Sequence, residues 1–290
     1  MMRVKDNKFT EGINLLQQPI MPLVSMVQFL YMTGPFATVA EVLNELPEPI
    51  ETDRTTYEHP RSLLSGYLDI LAGFEQLKEG TFQAPTVVDE ENNPVDPFTA
   101  GAAVIQQQLL IAELEKINSI LCGPCGCTLC CVGPENSMEQ EFFEIPLGTG
   151  ELDLFAVSRC DNEASRSSLS LDENELIWEE QPFYRVKNPT VFHWKKGWSL
   201  ILPKSSTCPN LNDNGQCRVY DDRPKVCRRP QIFPYMVEQL EGAEGETQVM
   251  RIRQSLLAVT DCPYVRDLQT EIADYAAASE LHLILKQNKQ

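Results

Sequence analysis

Cys122-Gly123-Pro124-Cys125-Gly126-Cys127-Thr128-Leu129-Cys130-Cys131 places five thiols within ten residues. Thiols this close suit a soft metal better than a disulfide framework, and a bridge between the adjacent Cys130 and Cys131 is strained. Two turns of the run have the Cys-x2-Cys form, Cys122 to Cys125 and Cys127 to Cys130, and amides in such turns can donate to the sulfurs. Cys208, Cys217, Cys227 and Cys262 lie further on, and Cys160 stands apart as an expected buried thiol. The candidate metal ligands are therefore Cys122, Cys125, Cys127, Cys130, Cys131, Cys208, Cys217, Cys227 and Cys262. They suit two four-ligand Zn2+ sites, or one or two iron–sulfur clusters of the 4Fe–4S kind. Two neighbouring cysteines do not easily serve one ion in the same geometry, so Cys130 and Cys131 either bind different metals or include a spare.

Composition narrows the function classes. The chain has 290 residues, 42% of them hydrophobic, enough for a proper core without disulfide support. Its net charge of −18 argues against nucleic acid and against an anionic membrane as partners. A protein partner and a cytoplasmic location are the expectation. Between Lys204 and Arg229, six cations stand against three carboxylates. These cations offset thiolate charge, or they form a small site for an anionic ligand. Gly12 to Ala40 carries no charged side chain. Its prolines and glutamines interrupt the ~20 apolar residues that a membrane span needs, so a buried core helix is expected there.

Apolar spacing predicts helices over Met21–Met32, Phe36–Leu46, Arg61–Lys78 with a Gly80 cap, and Ala102–Leu121. The last shows Leu110, Leu114, Ile117 and Leu121 on one face, with Glu113 and Lys116 as an exposed pair. It runs into the cysteines, where Gly123-Pro124 should end it. Thr81–Thr99 carries Pro85, Pro94 and Pro97 and reads as a linker. The expected domains are a helical region 1–80, a linker 81–100 and a cysteine-cluster metal-binding domain 101–290, with its core motif at 122–234. Glu141–Val157 reads as two strands joined at Gly148-Thr149-Gly150, Asp161–Ser170 as a surface loop, and Phe183–Leu202 as strands around Gly197. Asn214-Gly215 signals a tight turn that brings Cys208 and Cys217 together. Glu241–Gly245 reads as an acidic loop. Val249, Ile252, Leu256 and Val259 predict a helix, and Val265 to Tyr275 a last one ending near Leu285. The fold class expected is α+β, mostly helical, with helices at both ends around a small irregular cysteine-rich core and a few short strands. His59, His193 and His282 read as packed or solvated.

The segment Cys208-Pro-Asn-Leu-Asn-Asp-Asn-Gly-Gln-Cys217-Arg-Val-Tyr220-Asp-Asp-Arg223-Pro224-Lys-Val-Cys227-Arg228, followed by Phe233-Pro234, resembles the second half of the YkgJ family of CxxCxxCC cysteine-cluster proteins. Cys127-x2-Cys130-Cys131 is similar to the end of that family's first cysteine group. The likeness covers roughly residues 122–234. Pro124 stands where the family has a cysteine, so Cys122 or Cys125 takes its place, and seventy-odd residues separate the two halves. The resemblance implies a zinc- or iron-chelating domain. Some relatives are described as flagellin lysine N-methylases, so it also permits a protein lysine N-methylase-like enzyme. A non-enzymatic adaptor with a structural metal site is the third reading. No catalytic triad, Walker loop or dinucleotide fingerprint points to an enzyme from the residues alone.

Overall fold

Asp96 starts the longest element. Its carboxylate accepts from the amides of Phe98 and Thr99 at 3.1 and 3.0 Å, the usual way to satisfy the first orphan donors of a helix. The helix then runs Pro97–Cys125, 29 residues. The computed structural model describes residues 7–171, 176–229, 231–240 and 249–287. The acidic loop expected at Glu241–Gly245 lies outside the described residues. The chain divides into two units, one of residues 1–125 with 231–290 and one of residues 126–230.

In the first unit the long helix is the spine. Leu109, Leu110, Leu114, Ile117 and Leu121 are buried, as the apolar stripe predicts. Three polar residues on the same helix fasten it to other elements. The Gln107 side chain donates to the Pro234 carbonyl at 2.8 Å and accepts from the Met236 amide at 2.6 Å. Glu113 accepts from the Ile20 amide at 2.9 Å and from the Tyr275 hydroxyl at 2.6 Å. Asn118 donates to the Ile232 carbonyl at 3.1 Å and accepts from the Tyr264 hydroxyl at 2.6 Å. Glu113 is thus buried, 4% exposed, and is no member of a surface pair with Lys116.

Helices expected near the N-terminus form at Met21–Thr33 and Val39–Glu45. The single helix expected at Arg61–Lys78 is broken into Pro60–Ser65, Leu68–Leu71 and Gly73–Glu79, interrupted near Gly66 and Ala72–Gly73. Gly80 does cap the last, with φ +72 in the left-handed region that glycine favours.

The expected fold class needs correction. The chain does not place helices at both ends around a core with a few short strands. Val249–Val259, read as a helix, is an 11-residue strand. It pairs antiparallel with Ile232–Gln239. On its other side it pairs parallel with Thr86–Val88 over residues 249–251 and with His282–Lys286 over residues 255–259. The last described element is therefore a strand, and residues 81–100 supply another. Apolar residues on a strand with neighbours on both sides need not alternate, so a run of this kind mimics helical spacing. Pro263–Asp267 and Gln269–Ala278 are helical, ending before Leu281.

The second unit is built on a four-stranded sheet in the order Phe142–Leu147, Gly197–Pro203, Thr190–Trp194, Arg159–Cys160. Its hairpin turns at Gly197, φ +124, where Trp194 pairs with Gly197. Alternation gives the sheet two apolar faces. One carries Ile145, Val191, Leu200 and Leu202 with Leu152 and Phe155. The other carries Cys160, Phe183, Phe192, Trp194 and Ile201. The second strand expected after Gly148 is instead a 3-10 turn, Thr149–Leu154, organised by Glu151, which accepts from the Gly148 amide at 2.7 Å. The loop expected at Asp161–Ser170 holds a short helix, Glu163–Ser167, capped by Asn162. His193 bonds Asp161 at 2.8 Å and stacks on Trp198 at 4.2 Å.

Candidate metal centre

The long helix does not stop at Gly123-Pro124. It continues to Cys125, with Pro124 inside its final turn. Cys122 and Cys125, three residues apart, therefore lie on one helical face. Gly126 follows with φ +63, a left-handed turn suited to glycine, and this local geometry sets Cys127 beside Cys125. Cys262 immediately precedes the helix Pro263–Asp267, whose Tyr264 is tied to Asn118 of the long helix. The sulfurs of Cys125, Cys127 and Cys262 all lie within 4.8 Å of one another. Cys262 is 3% exposed, and Cys125 and Cys127 are half-buried.

Five further cysteines, Cys130, Cys131, Cys208, Cys217 and Cys227, belong to the second unit. Leu129–Cys131 is a 3-10 turn closed by the Cys131 amide on the Thr128 carbonyl at 2.8 Å. The chain then lies against 203–208. Val132 bridges Thr207, and the Cys208 amide donates to the Cys131 carbonyl at 2.7 Å. Gly133 allows this approach, because a Cβ there stands 2.0 Å from the Pro203 carbonyl oxygen. The Asn214-Gly215 turn forms as predicted, with Gly215 at φ +79 and Leu211 bridging Cys217. Cys227 rides on the four-residue helix Lys225–Arg228, whose first amide donates to Glu151 at 2.8 Å. Cys208 and Cys227 both pack on the apolar face of Ile145, Leu200 and Leu202.

Burial pushes up the pKa of Cys131, Cys208 and Cys227, the last to about 12. Neighbouring thiols add to it. Cys131 is raised further by Cys208, Cys130, Cys227 and Cys217, Cys227 by Cys208, Cys130 and Cys217, and Cys208 by Cys217. A set of half-buried thiols that repel one another as thiolates is the arrangement a bound cation stabilises, displacing protons as it binds. Arg223, 6% exposed, stacks on the Tyr220 ring at 3.7 Å, donates to the Tyr220 carbonyl at 2.8 Å, and opposes the rise at Cys227. Arg228, next to Cys227, buries its Nε with no hydrogen-bond partner among the described residues. The donor set of Cys125, Cys127 and Cys262 is soft and all-sulfur. The residues fit a zinc ion or an iron–sulfur cluster.

Of the nine cysteines proposed from spacing, Cys125, Cys127 and Cys262 bring their sulfurs within 4.8 Å of one another, and none of the ten cysteines is in a disulfide. What spacing missed is the grouping: the sulfur of Cys127 lies with those of Cys125 and Cys262. The signal available was the Gly126 turn. Cys160 is fully buried within the sheet's other face. Elsewhere, in the first unit, a cavity of about 640 Å³ opens between Tyr57, His59, Ser62, Tyr67 and Lys116, lined by no cysteine. Among the described residues no helix is long and apolar enough to cross a membrane. No protein-family model, no curated protein and no solved structure matches the chain.

Proposed function

We propose that the chain is a metal-binding protein of the YkgJ type, holding an iron–sulfur cluster or zinc on its two cysteine-rich segments and acting beside a protein partner. The observation that carries the reading is the approach of three sulfurs, Cys125, Cys127 and Cys262, from distant parts of the sequence to within 4.8 Å. Apolar packing alone gives no reason to gather thiols and leave most of them half-buried. A cluster supplies one-electron transfer, and zinc supplies a closed structural tie. The protein's own part is to aim the sulfurs from a helix end and tight turns, and to offset their charge with Arg223 and Arg228.

The test is purification of the full chain without oxygen, followed by metal content, acid-labile sulfide and the visible spectrum. Iron with matching sulfide and a broad absorption near 400 nm, or stoichiometric zinc without sulfide, supports the reading and selects the metal. A folded protein holding neither, and taking up neither on reconstitution, sinks it.

A further inference from the structure

We infer that two copies of this chain pair through the edge strand His282–Lys286, antiparallel about a two-fold axis at Ile284, so that the sheet of one copy continues into the other. The inference is independent of any metal and concerns a surface that the metal-binding reading does not use.

The sheet that holds Val249–Val259 has three outer edges, and two of them are closed. Ile232–Gln239 carries Pro234 and a bulge between Tyr235 and Val237. The long helix satisfies its outer side. Asn118 donates to the Ile232 carbonyl, and Gln107 donates to the Pro234 carbonyl and accepts from the Met236 amide. Thr86–Val88 is covered by the chain that follows it: the Val95 amide donates to the Val87 carbonyl at 2.9 Å, and Val88 bridges Pro94. His282–Lys286 has no such cover among the described residues. It lies last in the strand order, contains no proline, and pairs without a bulge. It thus lacks devices by which proteins keep an edge from pairing.

One bond fixes the direction of its backbone groups. The Thr260 amide donates to the Lys286 carbonyl at 2.9 Å, so Lys286 faces Val249–Val259. Along a strand the N–H and C=O of one residue point to the same side, and successive residues alternate. Ile284 and His282 therefore face Val249–Val259 as well, while Leu283 and Leu285 direct both groups to the open edge. Leu283 stands beside Leu256 and Leu285 beside Ala258, both fully buried, yet Leu285 is 48% exposed. Ile284, on the opposite face, is 41% exposed. Apolar surface thus flanks the open backbone groups on both faces of the sheet.

A second copy completes this edge in one register. An axis at Ile284 sets Leu283 opposite Leu285 of the second copy, and Leu285 opposite Leu283 of the second copy. Both residues point their groups outwards, so each of the two pairs exchanges two hydrogen bonds, and Ile284 meets its counterpart at the closer, non-hydrogen-bonded position. The order Leu-Ile-Leu reads the same from either end, which puts apolar side chains opposite apolar ones at all three positions. His282 falls opposite Lys286, which adds no charge attraction. A pairing of five residues a side buries less than the ~1,200 Å² of a standard interface, so the dimer forms at micromolar and not nanomolar concentration.

The experiment is sedimentation velocity of the full, reduced chain from about 1 to about 500 µM, a span that brackets micromolar affinity. The buffer holds ~0.15 M salt, where charge is screened beyond ~8 Å, because the net charge of −18 otherwise drives copies apart. The wild type is expected to pass from monomer towards dimer with rising concentration. Ile284→Lys and Ile284→Glu each set a charge against itself on the axis and should both stay monomeric, while an equimolar mixture of the two should sediment as a dimer. Leu285→Pro removes an outward N–H without removing a bond to Val249–Val259, and should also be monomeric. Far-UV dichroism checks that each variant is folded. A wild type that is monomeric throughout the range overturns self-pairing and leaves the edge to an extended segment of another protein. A dimer that persists in Leu285→Pro and in both charge variants lies elsewhere on the surface and overturns the edge. Charge variants that are monomeric alone and fail to associate when mixed overturn the register about Ile284.

Discussion

Glu113 is a carboxyl in the core, and burial raises its pKa to about 7, against the lowering effect of bonds from Tyr275 and the Ile20 amide. In the unfolded chain it titrates near 4.5, so between about 4.5 and 7 the folded protein binds the extra proton. The stability this proton provides is fully present below about 4.5 and is lost as pH rises through about 7. The whole effect is on the order of 3 kcal/mol by the conversion of pKa to free energy. Urea melts across pH 5 to 8 should show the wild type losing stability relative to Glu113→Gln as pH rises. A wild-type-minus-variant difference that is flat in pH refutes the assignment. Gly133 gives a second test. A Cβ meets the Pro203 carbonyl oxygen at 2.0 Å, a backbone atom that cannot swing aside. Gly133→Ala should cost about 3 kcal/mol, at the upper end of overpacking penalties. Gly150→Ala meets nothing within 4 Å and should lie within about 1 kcal/mol of neutral. Equal melts for the two variants contradict the close approach. Neither residue was legible in this role: the apolar stripe of a helix says nothing of what its polar positions bond, and a glycine's reason is a neighbour distant in sequence.

At the scale of elements, local signals gave what local forces decide. The long helix, the Gly80 cap, the Gly197 hairpin and the Asn214-Gly215 turn follow from spacing and from glycine's freedom, and all are found. Val249–Val259 is the clearest miss, because its strand state depends on partners at 232–239, 86–88 and 282–286. The helix-to-sheet connection is itself testable through Asn118, which links the Ile232 carbonyl to the Tyr264 hydroxyl and is fully buried. Asn118→Ala leaves both partners without their bond and should cost about 2–4 kcal/mol. Tyr264→Phe removes one bond and should cost about 1 kcal/mol. In the double variant the losses should fall short of additive, since the Tyr264 bond is already gone once Asn118 is removed. Strict additivity in denaturant melts tells against a direct link between the two side chains.

For the molecule as a whole, the sequence marked the cysteines by type and number, and the approach of Cys262 to Cys125 and Cys127 was not legible in it. Spacing can mark Cys-x2-Cys turns but not which turn faces which loop, and Cys262 joins Cys125 and Cys127 only through the fold. The segments that carry the second-unit thiols have little regular structure. Among the described residues, 126–133 and 205–229 contain one 3-10 turn of three residues and one helix of four. Isolated bridges at Val132–Thr207 and Leu211–Cys217 supplement them. Such segments bury few apolar side chains and open at low free energy unless something ties them. On the proposed reading a metal bound by thiolates is that tie, since binding free energy to a site absent from the unfolded chain is folding free energy. Stripping the metal with a chelator should therefore speed limited proteolysis within 126–133 and 205–229. The strands Thr190–Trp194 and Gly197–Pro203, whose side chains fill two apolar faces, should keep their protection. Mass spectrometry of the early fragments reads both rates. Cleavage that is equally slow in these loops with and without metal would mean that the thiols are gathered by packing alone. In that case metal contributes nothing to the fold.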